Sequence, residues 1–419
     1  MIIIIGAGIS GLTVANNLPP GTDFIIVEKE NIVGGLSTQY STNGYWFDFG
    51  GHYFHFQDKS EIKSYLEGFC RFREFNRKSK TFLLDRYIPF PVQFHLSYLP
   101  APLKDNILHE ILFSRDKHKS SFLPLGNLHD FLEIHFGTTL FQLFFQPFLT
   151  KYYNTELKRL AANMDKGSIP VPDKNQVIAG FKGRTSFEAG YNPVIYYPEV
   201  SLRDFIKKYT APVHDCIRYN EEVIEIDTDQ QMVRTFKGTY YYDTLVTSMP
   251  LNQLLKIIKP SDRFPSHQQL RYVSTILTNV ILKRKRKRFH WVYLAEKKFP
   301  FYRMGFYAVH PYPACYLERN VIPGSPVEMN KERIIPDVAF TLKELQVIKS
   351  KDEIVHLDVR RIPVSYVLFD RNWDKTVPTL LEELKKYNIY SIGRYGSWNY
   401  SYMSNDIQSA REWARAICE

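Results

Sequence analysis

Apolar positions along the chain fall into two rhythms, and each predicts its own kind of element. Four β-branched residues in succession, Ile2-Ile3-Ile4-Ile5, predict a strand buried on both faces, and Phe24-Ile25-Ile26-Val27 predicts a second. Between them the pattern predicts a helix over residues 10–18. Helices are also expected over 59–66, 103–113, 128–153 and 201–209, where apolar residues recur every three to four positions. The long one should kink or break at Pro147, with Phe141, Leu143, Phe144, Phe145 and Phe148 as core. Alternation predicts strands over 73–84, 221–227, 231–236 and 240–247, and a second sheet region over 270–309. In Arg86-Tyr87-Ile88-Pro89-Phe90-Pro91-Val92-Gln93 the prolines bracket aromatics, so this stretch reads as an extended wall rather than a regular element. Residues 311–377 read as a proline-rich mix of short strands and loops. Near the end, Tyr390-Ser391-Ile392 predicts a strand and 406–418 a helix, with Asn405 and Gln408 spaced as a capping box.

A chain of 419 residues is too long for one ordinary core, and no repeat or low-complexity linker divides it. We therefore expect an α/β protein in which a Rossmann-type FAD/NAD(P)-binding domain is interleaved with a substrate domain of mixed sheet and helical insertion. The nucleotide-binding parts are expected at 1–58, 193–258 and 386–419, with the substrate domain at 59–192 and 259–385. Hydrophobic residues make up 44% and charged residues 23%, which describes a soluble globular chain with no run of transmembrane length. The apolar start lacks a basic flank and a cleavage site, so it is read as a core strand of a cytoplasmic protein. Cys70, Cys216, Cys315 and Cys418 are scattered, so neither a metal site nor a disulfide framework is expected.

The net charge of +10 is compatible with nucleic acid, an anionic membrane surface or a small anionic substrate. Its densest run, Lys283-Arg284-Lys285-Arg286-Lys287-Arg288, lies between two strand-like stretches and reads first as a solvated hairpin end. Docking to a membrane surface is the lesser reading of that run, and no nucleic-acid role is expected, since the aromatic residues are dispersed through periodic segments.

Candidate chemistry sits at both ends. Gly6-Ala7-Gly8-Ile9-Ser10-Gly11 follows the first strand and opens the first helix, and Glu28 with Lys29 closes the second strand. Glycines at this spacing allow a tight turn, close approach of a pyrophosphate and a helix seated on the sheet, while the acid reaches ribose hydroxyls. Further glycine pairs follow in Gly34-Gly35-Leu36 and in Asp48-Phe49-Gly50-Gly51-His52. They exceed what a nicotinamide nucleotide needs and suit an extended flavin, so FAD is the expected cofactor. The segment Gly393-Arg394, followed by a helix start at Asn405, Asp406 and Ile407, would aim a positive helix end at the negative charge of a reduced flavin.

Together these residues resemble the flavin superfamily of amine oxidases, protoporphyrinogen oxidases and UDP-galactopyranose mutases. The mutase branch is suggested by Gly34-Gly35-Leu36, residues 45–56, the wall Pro89-Phe90-Pro91-Val92-Gln93, Pro300-Phe301-Tyr302-Arg303 and Gly393-Arg394-Tyr395-Gly396-Ser397-Trp398-Asn399-Tyr400. The resemblance implies ring-size interconversion of a nucleotide sugar in polysaccharide precursor synthesis, carried by reduced FAD at its N5 without net oxidation; the reductant stays open, a nicotinamide nucleotide being one candidate. It implies Arg303 as a diphosphate clamp, Tyr400 as a hydroxyl donor to the same group and His52 as a flavin neighbour; Gln93 on the proline wall and Tyr152 after the helix break are expected, from their places in the chain, to line the substrate cleft. Lys166 and Arg184 are the candidates for a second cation, and Phe94-His95 stands where the mutases commonly carry asparagines. An oxidoreductase of the same fold, or a flavin-containing scaffold, is the alternative. The oligomeric state is not legible.

Overall fold

Ile2–Ile5 forms a strand paired on both edges, in parallel with Thr244–Thr247 and with Phe24–Val27. Ile389–Ser391 and Ile217–Arg218 complete a five-stranded, all-parallel sheet. A strand enclosed in this way needs apolar side chains on both faces, and Ile3, Ile4 and Ile5 are all buried. The helix Ile9–Asn17 follows, with residues 9–15 buried, and it packs against the helix Met403–Ala416. The computed structural model describes residues 1–118, 126–164, 169–184, 193–264, 269–284, 289–307 and 309–417.

The chain divides into two compact units. The first comprises Met1–Phe75, Ile195–Arg271 and Asn372–Glu419, and the second Asn76–Val194 and Tyr272–Arg371. Residues 59–75, 259–271 and 372–385, placed by the sequence reading in the substrate domain, fall in the first unit, and 193–194, placed in the nucleotide-binding part, fall in the second.

The second unit is built on a seven-stranded sheet in the order Ile354–Val367, Tyr272–Leu282, Ala314–Val321, Arg303–Phe306, Trp291–Leu294, Ser79–Leu83, Arg86–Pro89. It is mixed, because Trp291–Leu294 runs parallel to Ser79–Leu83 while the other neighbours are antiparallel. Side chains alternate between its faces. One face carries Phe82, Val292, Leu294, Met304, Phe306, Cys315, Leu317 and Val280, joined in one apolar core with Ile334, Val338 and Leu342 of the helix Lys331–Glu344. The alternate positions put Thr81, Tyr293, Arg303 and Glu318 in successive register on the opposite face.

Several elements depart from the sequence reading. The strand expected over 73–84 is two, Phe72–Asn76 and Ser79–Leu83, which belong to different sheets. The expected wall is partly regular, since Arg86–Pro89 pairs with Ser79–Leu83 and only then gives way to a 3-10 turn, Val92–Phe94. Proline is tolerated there because Arg86–Pro89 is an edge strand. The long helix breaks at Gly137 (φ +77°), not at Pro147, which lies in the first turn of the helix Gln146–Tyr153 where its missing N–H costs little. A π-helical turn, Phe141–Phe145, joins the two pieces. The strand expected over 240–247 splits into Thr239–Tyr241 and Thr244–Thr247, in separate sheets. Residues 311–377 hold the eight-residue strand Ala314–Val321, the fourteen-residue strand Ile354–Val367, the helix Lys331–Glu344 and the start of the helix Trp373–Lys385. Pro336 and Pro378 sit inside the two helices, which packing of their apolar faces sustains. The last helix starts at Met403, three residues before the expected start, and Asn405 accepts from the Tyr402 N–H within its first turn at 3.3 Å. Gln408 takes no part in a cap and instead donates to Glu412.

Candidate cofactor and substrate sites

In the first unit the glycine turn is assembled from several segments. Gly6 takes φ +95° where the strand ends, and a Cβ on it would lie 2.6 Å from Ser248 Oγ. A Cβ on Gly11 would lie 2.0 Å from the Gly6 carbonyl oxygen, so the helix can approach the strand this closely only without a side chain. Gly8 differs, since the nearest atom to its Cβ would be Ser248 Oγ at 4.0 Å. The fold itself does not forbid a side chain there. A group approaching from outside the protein would, and the pyrophosphate of a dinucleotide is such a group. Gly34 donates to the Ala7 carbonyl at 2.7 Å and bridges to Gly8, and Gly35 (φ +57°) places its Cβ direction 3.4 Å from Gly8 Cα, so the second glycine pair closes onto the first.

Glu28 is buried at the end of Phe24–Val27, and its carboxylate accepts the N–H groups of Ala7 (2.7 Å) and Glu30 (2.9 Å). Burial raises its pKa, against the lowering effect of those two hydrogen bonds. Each oxygen keeps a lone pair for a ribose hydroxyl. Lys29 is exposed and pairs only loosely with Glu30, at 3.8 Å. Leu36 lies in a 3-10 turn, Gly35–Ser37. Asp48, which opens the Gly50-Gly51-His52 loop, is buried and accepts from Gln39 Nε2 (2.6 Å) and Tyr197 OH (2.8 Å). Burial raises its pKa to about 7.

The C-terminal segment reaches the same turn. Gly393 (φ +75°) opens a four-residue helix, Gly393–Gly396, and a Cβ on it would lie 2.4 Å from Ser10 Oγ. Arg394 is engaged locally, donating from Nη1 to the Ser401 carbonyl at 2.7 Å with its guanidinium 4.4 Å above the Tyr400 ring. Asp406 accepts from Ser401 Oγ (2.7 Å) and from the Arg394 backbone, and burial raises its pKa to about 6. Asn405 and Asp406 lie in the first turn of Met403–Ala416, and Ile407 is buried behind them.

In the second unit Arg303 begins the strand Arg303–Phe306. Its Nε donates to one oxygen of Glu318 and its Nη2 to the other at 2.8 Å, with side-chain exposures of 18% and 5%. The pair is bidentate, with Glu318 buried and Arg303 half-buried, so Glu318 occupies one edge of the guanidinium and, among the described residues, the Nη1 edge is left. Tyr302 OH lies 3.3 Å from Tyr366 OH, and the Tyr152 ring stands 4.9 Å from that of Tyr302 and 4.7 Å from that of Tyr366. Gln93 is buried, donates from Nε2 to the Pro170 carbonyl at 2.8 Å, and has no partner for Oε1 among the described residues. Burial, helped by Arg77, lowers His95 to about 4, which leaves a neutral imidazole at the end of the wall.

Thus Gly6, Gly8, Ile9, Ser10, Gly11, Glu28, Gly34, Gly35 and Gly393 come together within the first unit, and Tyr152 and Arg303 flank Tyr302 in the second. Lys166 lies outside the described residues. Arg184 is exposed beyond the helix Lys174–Phe181, as are Lys283 and Arg284 beyond Tyr272–Leu282, and residues 285–288 also lie outside the described residues. The sequence reading missed Ser248, Glu318 and Tyr366. Glu318 could have been found as the one acid in Ala314–Val321, had that stretch been recognised as a strand.

A family profile for NAD(P)-binding Rossmann-like domains matches residues 4–69. Along its full length the chain is similar to a crystal structure of reduced UDP-galactopyranose mutase, with TM-score 0.90, 22% identity and coverage of 100% of this chain and 93% of that one. The chain shares that fold. A putative protoporphyrinogen oxidase from Exiguobacterium sp. 255-15 is similar at TM-score 0.74 and 16% identity, covering 99% of this chain and 98% of that one. A fatty acid isomerase from P. acnes that produces CLA follows at 0.65 and 12%, with coverage of 99% and 98%. The first unit is therefore a Rossmann-type FAD/NAD(P)-binding domain, its chain segments alternating with those of a mixed-sheet domain with helical insertions. No helix among the described residues is long and apolar enough to cross a membrane.

Proposed function

We propose that the protein binds FAD and, with the flavin reduced, interconverts the pyranose and furanose forms of a nucleotide sugar. The observation that carries this reading is Arg303, a half-buried guanidinium with one edge left by Glu318, in the segment where the resemblance calls for a diphosphate clamp. Likeness to a reduced UDP-galactopyranose mutase over the whole chain supports it. The bound cofactor supplies a nucleophilic nitrogen for displacement at the anomeric carbon. The residues of the chain bind and orient. The bare backbone at Gly8 and the N-terminus of Ile9–Asn17 receive the pyrophosphate, and Glu28 accepts ribose hydroxyls. Arg303 holds the leaving diphosphate, while Gln93, Tyr152, Tyr302 and Tyr366 present polar groups and ring faces to the substrate.

A second reading is favoured by the Arg303–Glu318 pair itself, which carries no net charge, and by the likeness to a putative protoporphyrinogen oxidase. In that reading the protein removes hydride from a small substrate that carries no diphosphate and passes the electrons to an acceptor. Anaerobic assays of the reduced protein on a panel of nucleotide sugars separate the two. Ring-size change without stoichiometric use of reductant is expected. Reduction of the oxidised flavin by an amine or a porphyrinogen, with turnover once an electron acceptor is supplied and no ring-size change, would establish the second reading.

Arg303→Ala would strand Glu318 as a buried charge and cost about 3–5 kcal/mol of stability, which would confuse a binding test. Arg303→Lys keeps the charge but gives up the fork. It should weaken nucleoside diphosphate binding roughly tenfold, the loss of one charge-assisted hydrogen bond, while leaving the FAD content unchanged. Equal affinity in both proteins, read from the flavin spectrum, would remove Arg303 from the substrate site.

A further inference from the structure

The loop between Trp291–Leu294 and Arg303–Phe306 turns its carbonyl groups inward around a single nitrogen. Lys151, in the last turn of the helix Gln146–Tyr153, donates from Nζ to the carbonyl oxygens of Leu294 (3.0 Å), Glu296 (2.9 Å) and Phe299 (2.8 Å), and that of Phe301 stands at 3.4 Å. An ammonium has three N–H groups, and three short contacts with one longer one is what a single ammonium among four carbonyls can make. The oxygens are all neutral and all from the main chain, the donor set with which proteins replace the hydration shell of a monovalent cation.

The neck of the loop is closed by two more hydrogen bonds, from Leu294 N to the Tyr302 carbonyl and from Tyr302 N to the Glu318 carbonyl, both 2.9 Å. The residue that follows is Arg303. The backbone on which the Arg303–Glu318 pair depends is therefore fixed on one side by the sheet and on the other by Lys151. Burial lowers Lys151 to about 8, with the Glu296 charge opposing the shift, so this ammonium is held where its desolvation is costly. A purely apolar contact would fill the same space without that cost.

We propose that Lys151 is a tethered monovalent cation that positions the segment leading into Arg303, and that the carbonyl ring is a latent site for a free primary ammonium once the tether is cut. The proposal does not depend on which reaction the protein catalyses.

Lys151→Ala removes three carbons and the nitrogen, and n-propylammonium has the same atoms. Hydrogen exchange read by mass spectrometry should show peptides covering 294–303 exchanging about tenfold faster in Lys151→Ala, with peptides of the first unit such as 2–27 unchanged. n-Propylammonium should restore most of the protection. Tetramethylammonium, with the same charge and no N–H, should not. Lys151→Met keeps the apolar packing without the cation, and should exchange fast at 294–303 with or without the amine. Unchanged exchange at 294–303 in the Met variant, equal restoration by the two ammonium ions, or acceleration spread evenly over the second unit would overturn the proposal. Should the Ala variant not fold, its refolding yield in n-propylammonium becomes the readout, with recovery supporting the proposal and none refuting it.

Discussion

Gly8 and Gly11 belong to one turn, yet they are glycines for different reasons. At Gly11 a Cβ collides with the Gly6 carbonyl oxygen, whereas at Gly8 it meets nothing among the described residues nearer than Ser248 Oγ at 4.0 Å. Their alanine variants should therefore fail in opposite ways. Gly11→Ala forces the first helix away from the sheet and should cost about 1–3 kcal/mol, the range for overpacking a tight contact. Gly8→Ala should leave the urea midpoint of the cofactor-free protein unchanged while weakening its binding of FAD. If Gly8→Ala instead unfolds the protein, or binds FAD as wild type does, the open space at Gly8 is not a pyrophosphate site. The same comparison shows what was legible at this scale. Glycine spacing and the acid at Glu28 mark the turn in sequence, because backbone shape is local. Ser248 stands against Gly6 from more than two hundred residues away, and no local pattern announces it.

Among the elements, the interrupted helix of the second unit shows how a break is tolerated. Gly137 leaves helical geometry, and the helix resumes by giving the Thr139 N–H and Oγ1 to the carboxylate of Glu110, both at 2.7 Å, from the neighbouring helix Ala101–His118. Glu110 thus does from another element what an N-cap residue does from its own, and its charge complements the positive end of the new turn. Glu110→Ala should cost about 1–2 kcal/mol, seen as a lower urea midpoint. No change in the midpoint would show that the restart needs no cap. The sequence pattern located this helical region but assigned its break to Pro147, since the rule for proline is local and the partner of Gly137 is not. Residues 311–377 were misread for a related reason. Prolines there suggested short pieces, but Pro336, like Pro378 just beyond, is carried inside a helix whose buried face outweighs the missing hydrogen bond, and the strand Ile354–Val367 is held by its long antiparallel pairing with Tyr272–Leu282. With that strand layer unread, the acid that pairs with Arg303 could not be foreseen.

For the whole molecule, Asp48 links stability to pH. Folding buries its carboxyl between two neutral donors, Gln39 and Tyr197, and raises it from 3.8 to about 7. The folded protein then holds a proton that the unfolded chain releases above about pH 4, so the contribution is complete below that pH and is lost as pH rises through about 7. The full swing is at most about 4 kcal/mol. Asp48→Asn, neutral at every pH, should flatten the fall in urea midpoint between pH 4 and pH 8, and identical pH profiles for the two proteins would refute the link. The interleaving of the chain also bears on how the protein is made. The edge of Ile2–Ile5 that pairs with Thr244–Thr247 has no partner until those residues leave the ribosome, and Thr244–Thr247 in turn waits for Ile389–Ser391. At ordinary rates of synthesis the first wait is roughly 10–50 s. Throughout it, a four-isoleucine strand with a bare edge is what a chaperone, or a second nascent chain, would meet.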